Sequence, residues 1–237
     1  MNRIDVHNHV LPGLDDGCLD MAESLVALRM MVDHGYDRIF CTPHTNTRDF
    51  TDVTTQQVAE AVAELQRAAT DAGIPIALRP GGELRLTETT KEHMAEVGLP
   101  TYGHLGKYVV ADTWSPEWHP WTTRAVEWLF GQGVQVIIAH PERMPPIKNN
   151  PAFIDELARM GVWFQGNLGP IAGVDAPVVV ELGRRFLREG RYFMLGTDGH
   201  RPEALLQRLG GLAIAEELVG AAEVERLTVT NPGKLWE

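Results

Sequence analysis

"RIDVHNHVLPGLDDG", residues 3–17, sets two histidines one residue apart at the end of a short β-rich run. It then breaks at Pro12-Gly13 and continues into paired aspartates and a glycine. Alternate residues of a strand face the same side, so His7 and His9 can clasp one ion together. Histidines at strand ends also serve as plain hydrogen-bonding groups, so by itself the stretch leaves a metal site and an ordinary turn both open. The other strand ends decide between them, and they decide the fold as well.

Six further β-rich runs follow: DRIFCTPH (37–44), IPIALRPGGE (74–83), GKYVVADT (106–113), VQVIIAHPE (134–142), VWFQGNLG (162–169) and RYFMLGTDGH (191–200). Helix-period stretches lie between them at 22–34, 55–72, 122–132, 152–160, 178–189 and 202–219. Gly35, Gly73, Gly133, Gly161 and Gly190 sit where a helix exits toward the next strand, a position that favours a left-handed backbone. Alternating strands and helices predict parallel β/α architecture. No linker, low-complexity segment or charge block divides the chain, so residues 1–237 read as one domain.

Ligand-type side chains collect at the C-terminal ends of these runs. After His7 and His9, with Asp15 and Asp16 in the loop beyond, come His44, Glu83, Asp112, His140 with Glu142 and Arg143, Asn167, and finally Asp198 and His200. An open sheet gathers its ligands mainly at one switch point, whereas a barrel brings every strand end to one rim. A site fed by all the runs therefore predicts a closed, TIM-like α/β barrel of seven strands. Packing alone would place apolar or small residues at those ends, so the set as a whole reads as a metal site. Asp198 and His200 share the i, i+2 spacing of His7 and His9 and are expected to face one ion in the same way. Imidazole with carboxylate suits zinc, iron or manganese, and the lack of a cysteine cluster argues against a structural thiolate zinc site.

Composition narrows the function. The chain is 44% hydrophobic and 22% charged, a profile of folded globular proteins, and its formal net charge is −11. Such an acidic balance repels phosphate backbones and makes nucleic acid a poor partner. Two cysteines in 237 residues are too few for a disulfide framework and fit a reducing compartment. The start of the sequence has no basic-then-apolar signal pattern and no apolar run reaches membrane-span length, so a cytoplasmic protein without membrane insertion is expected.

In order, DxHxH, the DDG loop, TPH, a glycine-preceded glutamate, HPER and a terminal DxH resemble the polymerase and histidinol phosphatase (PHP) superfamily. They look most like its bacterial tyrosine-phosphatase branch, the manganese-dependent enzymes of capsule and exopolysaccharide operons. The similarity covers nearly the whole chain. It implies a distorted seven-stranded β/α barrel holding three divalent metal ions, manganese first, with iron or zinc as alternatives. Carried over motif by motif, one ion would take His7, His9 and Asp198 with Glu83 bridging; a second would take Glu83, Asp112 and His140. The third would take Asp16, His44 and His200. Asp112 stands where that branch has a glutamate, one methylene longer. The implied reaction is phosphotyrosine hydrolysis on a protein, a bacterial tyrosine kinase controlling capsule synthesis being the expected partner. Clustered ions deprotonate a water near neutral pH for attack at phosphorus, with Arg143 and then Arg201 as candidates to neutralise the phosphoryl oxygens.

Other residues read as structural. A cysteine-dependent phosphatase needs Cys-x5-Arg, but Arg48 lies one residue too far from Cys41, which sits inside a strand and reads as core. His34 suits a helix end, and His93 and His104 read as surface. In TWSPEWHPW (113–121), Trp114, Trp118, His119 and Trp121 form either an aromatic wall for a phosphotyrosine ring or a plug against the next helix. Competing functions are a histidinol-phosphate or other small phosphate-monoester phosphatase, an amidohydrolase-type C–N hydrolase and a non-catalytic metal-stabilised scaffold. The second of these usually uses a modified lysine on a middle strand, and Lys107 stands at the wrong end of its run. Oligomeric state is not legible.

Overall fold

The computed structural model describes residues 2–47 and 53–237; Arg48 lies outside them. Its strands are short and parallel: β1 Arg3–Asp5, β2 Tyr36–Cys41, β3 His44–Thr45, β4 Ala77–Pro80, β5 Glu83–Arg85, β6 Tyr108–Asp112, β7 Gln135–Ala139, β8 Trp163–Asn167 and β9 Met194–Gly196. They form a three-stranded sheet, β1-β2-β4, and a curled six-stranded sheet, β3-β5-β6-β7-β8-β9. The seven expected runs thus become nine strands among the described residues. The second run divides around Thr42-Pro43 and the third around Gly81-Gly82, each sending one half to each sheet. Proline lacks a ladder donor, and Gly82 is needed because a Cβ there would meet Pro100 Cβ at 2.7 Å. The first and last runs meet: Asn8 bridges Gly199, His9 N donates to Gly199 O at 2.8 Å, and Asp198 N donates to His7 O at 2.8 Å.

Alternation along the strands explains the two apolar clusters. Val110, Ile137 and Ala139 join Ile4, Val6, Phe40 and Met194 in one. Their sequence neighbours Val109, Ala111, Val136 and Ile138 join the apolar faces of the helices in the other. Strands covered on both faces are the mark of parallel sheets. Tyr102 donates its hydroxyl to Val6 O at 2.7 Å, and Trp236 packs on Phe40 beneath the guanidinium of Arg79. Apolar packing therefore fills the end away from the ligand-bearing residues.

Helices form at 21–33, 55–71, 120–131, 153–159 and 177–188, within two residues of the expected bounds. Asp20 caps the first through Glu23 N, and Thr54 with Gln57 makes a capping box on the second. Gly35, Gly73, Gly133, Gly161 and Gly190 all take positive φ. The stretch expected as one helix at 202–219 is two, Pro202–Leu209 and Gly211–Val219. The break falls at Gly210-Gly211, where a Cβ on Gly211 would sit 2.4 Å from Leu168 O. The helix Thr90–Val97 was not expected, nor the short ones at 145–149, 168–172, 221–225 and 231–236. No helix among the described residues is long and apolar enough to cross a membrane.

Candidate metal centre

The opening stretch reaches the site by folding back on itself. Gly13, with φ 65°, turns the chain so that its N–H donates to Cys18 O at 2.8 Å, and Cys18 N donates to His9 O at 3.2 Å. Asp15 and Asp16 are thereby carried over His9. His44 opens β3 and Glu83 opens β5, and the two are paired partners in the sheet. Asp112 ends β6, Asn167 ends β8 and His140 follows β7 directly. His140 and Asp198 take left-handed backbone, φ 33° and 50°, an arrangement that costs energy in side-chain-bearing residues and collects at functional sites.

Three groups of ligand atoms result: His7, His9 and Asp198; His7, Glu83 and His140; and His9, Asp16, His44 and His200. In the first, the Nε2 atoms of His7 and His9 face each other at 3.3 Å, with Asp198 Oδ1 at 3.7 and 3.4 Å. Glu83 lies among all of them. Its Oε1 is 2.8 Å from His140 Nε2, and its Oε2 is 2.8, 3.2 and 3.5 Å from imidazole nitrogens of His44, His7 and His9. Asp16 Oδ1 stands 3.4 Å from both His44 Nε2 and His200 Nε2. Asp198 and His200 fall in different groups, contrary to the i, i+2 expectation. The strand ends at Gly196 and Asp198 has left-handed backbone, so strand alternation no longer applies there, although His200 Nδ1 still lies 3.6 Å from Asp198 Oδ1.

Asp112 is in none of the groups. It lines the same cavity, with Oδ2 buried and without a hydrogen-bond partner. Burial and then the charge of Glu83 push its carboxyl up to about 7. His140 goes the other way: burial disfavours its charge, but the hydrogen bond and charge of Glu83 outweigh this and raise it to about 9. Burial opposes the Glu83 carboxylate too, yet the surrounding histidines hold it well below the usual range. So many acceptor-type atoms converging on a few ångströms, with an unpartnered carboxylate oxygen beside them, fit divalent cations.

The cavity at this rim holds about 330 Å³ and is lined by His44, Glu83, Asp112, Thr113, Trp114, His140, Arg143, Met144, Pro145, Asp198 and His200. Arg143 is half-buried in its wall with its fork engaged. Nη1 donates to Asp198 Oδ2 at 2.5 Å, while Nε and Nη2 reach Asp175 Oδ1 at 3.1 and 2.9 Å. Arg201 is exposed ahead of the 202–209 helix and does not line the cavity. Glu142 is buried, accepting from Asn167 N and the Tyr192 hydroxyl at 2.9 Å each, so it braces the HPER turn. Cys41 is core, and burial pushes its thiol far up. His34 closes its helix through Met30 O, His104 is exposed and His93 half-buried.

The family model for capsular polysaccharide synthesis, CpsB/CapC, matches residues 3–237. The chain belongs to the CpsB/CapC family. Among its relatives, the tyrosine-protein phosphatase YwqE of Bacillus subtilis is 29% identical over 83% of this chain and 77% of its own. The tyrosine-protein phosphatase CpsB of Streptococcus pneumoniae is 23% identical over 98% of this chain and 97% of its own. A crystal structure from work on YwqE and CpsB, unique metal-dependent tyrosine phosphatases, superimposes with a TM-score of 0.89 at 25% identity. It covers 98% of this chain and 94% of that one.

In this CpsB/CapC chain a second layer of residues aims the first; Asp15 and Asn167 are among the residues the sequence singles out, Gln165 and Arg208 are not. Asp15 accepts from His9 Nδ1 at 2.6 Å, from His44 N at 3.0 Å and from Gly17 N at 2.9 Å. Despite burial, His9 and these donors lower its carboxyl to about 2. Gln165 Oε1 meets His7 Nδ1 at 2.7 Å, Gln165 Nε2 donates to Asn167 Oδ1 at 2.8 Å, and Asn167 Nδ2 donates to Asp198 Oδ2 at 2.8 Å. Arg208 Nη1 adds a contact to Asp198 Oδ2 at 3.2 Å. Gln165 stands i, i+2 from Asn167 on β8, the signal that could have revealed it. Partners of this kind set the tautomer of a ligating histidine. Asp15→Asn is therefore expected to weaken divalent-metal affinity by about 10–100-fold with the fold intact. A metal titration checks this, and unchanged affinity would make Asp15 a loop anchor only.

Proposed function

We propose that this protein is a metal-dependent protein-tyrosine phosphatase in which residues 1–237 act as one phosphoesterase domain. The seven strand runs, though divided into nine strands, are read as a distorted seven-stranded PHP barrel closed by the Asn8–Gly199 bridge. One observation carries the reading: three overlapping groups of histidines and carboxylates at one rim, opening into a cavity that Arg143 lines. The proposed ions are three, manganese first. His7, His9 and Asp198 would hold one; Glu83, His140 and Asp112 a second; Asp16, His44 and His200 the third. The names borne by YwqE and CpsB support the substrate class, a phosphotyrosine protein. The family's place in capsule synthesis supports a bacterial tyrosine kinase as its source.

Divalent ions bound there supply positive charge at the phosphoryl oxygens and acidify a water for attack at phosphorus. The chain's own residues arrange the rest. Glu83 sets the spacing between groups because it touches several histidines at once. Asn167, Arg143 and Arg208 hold Asp198 Oδ2, leaving Oδ1 toward His7 and His9. Arg143 brings a fixed cation to the cavity wall, where a phosphoryl group enters. A phenolate leaves with a conjugate-acid pKa of about 10, so it depends less on protonation than an alkoxide does. Among the described residues no lysine lines the cavity, which disfavours the modified-lysine C–N hydrolase.

The manganese-loaded protein is expected to hydrolyse a phosphotyrosine peptide with a kcat/KM above that for histidinol phosphate, and His140→Ala to lose both activities. Preference for histidinol phosphate would overturn the protein-tyrosine assignment.

A further inference from the structure

We propose that Trp114 is the residue that selects aryl over alkyl phosphate esters, its indole forming a wall against which the substrate's ring stacks. The proposal rests on the phosphatase reading and goes beyond it by naming what discriminates the leaving group. The aromatic residues of the 113–121 loop part company in the structure. Trp118 turns away, its Nε1 donating to Thr123 Oγ1 at 2.9 Å and its ring meeting Phe153 edge-on. His119 stacks on Trp121 at 5.2 Å, and neither lines the cavity. Trp114 alone of them does, and it is 48% exposed.

Such an indole would ordinarily be left loose, but this one is clamped. The guanidinium carbon of Arg85 lies 4.2 Å from the Trp114 ring centroid, and the His44 ring meets it at 5.6 Å and 87°. The clamp is built into the sheet. Arg85 follows Glu83 by two residues on β5, Trp114 follows Asp112 by two residues after β6, and Arg85 pairs with Asp112 across the ladder. Both partners are thus delivered one strand repeat, about 6–7 Å, beyond a ligand-type carboxylate. An aryl ester bound through its phosphate carries its ring one oxygen atom from phosphorus, on the outward side where this wall begins. Aromatic pairs gain from offset or edge-on contact beyond simple burial, and an alkyl chain cannot make that contact.

The test uses metal-loaded wild type, Trp114→Leu, which keeps apolar bulk without a ring, and Trp114→Phe, which keeps a ring. Binding of phenylphosphonate and ethylphosphonate is measured by calorimetry, with metal content checked by elemental analysis. Trp114→Leu is expected to weaken phenylphosphonate about tenfold and ethylphosphonate less than about twofold, with Trp114→Phe recovering most of the difference. Equal weakening of both ligands, or of neither, overturns the proposal, as does a Phe variant no better than Leu. If wild type binds neither phosphonate and cleaves no phosphate monoester, the phosphatase reading itself fails, and the aryl wall with it.

Discussion

Replacing Glu83 with glutamine is expected to lower phosphatase turnover by more than about 10²-fold and to leave the purified protein short of bound metal. The change is nearly isosteric, so it removes charge and ligand strength without opening a cavity. Residues that only support a metal ligand typically cost 10–100-fold when altered. Glu83 stands within 3.5 Å of four imidazoles. Losing its charge therefore weakens two neighbouring groups at once. Elemental analysis of the isolated variant, with steady-state kinetics in added manganese, reads both effects. A variant with full metal content and near-normal turnover would remove Glu83 from the centre of the site.

The second large effect comes from a residue with no ligand atom. A Cβ on Gly17 would fall 1.9 Å from His9 O and 2.7 Å from His9 Cβ. The loop must come this close because Cys18 N donates to His9 O and Gly17 N to Asp15 Oδ1. In Gly17→Ala the loop has to lift, taking Asp15 off His9 and Asp16 away from His44 and His200. Overpacking of this kind costs about 1–3 kcal/mol, which for a chain of this size is roughly 2–12 °C in Tm. Metal affinity is expected to fall at least as far as in Asp15→Asn. Thermal unfolding and metal titration together test this, and a variant matching wild type in both would refute the tight loop packing.

How far the sequence was legible varies by residue. Ligand-type residues at the ends of successive β-rich runs pointed to a shared rim because strand ends in parallel β/α architecture lie on one side. Five helices were readable from apolar period and terminal glycine to within two residues, while Thr90–Val97 and the short helices lack a period long enough to show. As the i, i+2 rule expects, His7 and His9 turn their Nε2 atoms to within 3.3 Å of each other, their backbone held by Gly199 and Asp198; Asp198 and His200, beyond the end of their strand, fall in different groups. The helix at 202–219 was misread as unbroken because apolar period carries no information about the backbone contact between Gly211 and Leu168. Asp15 reads from the sequence as a residue that caps or orients its loop, and the fold-back places it against His9 Nδ1.

The sequence by itself determined the alternation of strands and helices, the chemical types at the rim and the family to which the motifs point. These are local properties, set by side-chain periodicity, capping and turn residues. Only the tertiary structure gave the distances within each group and set Asp112 on the cavity wall outside all three. It alone also turned Trp114 toward the cavity and Trp118 away from it. Those outcomes depend on distances between residues up to nearly two hundred positions apart, such as Asp5 on Thr197. No local pattern encodes them, because they arise only when the sheet curls and brings its first and last runs together.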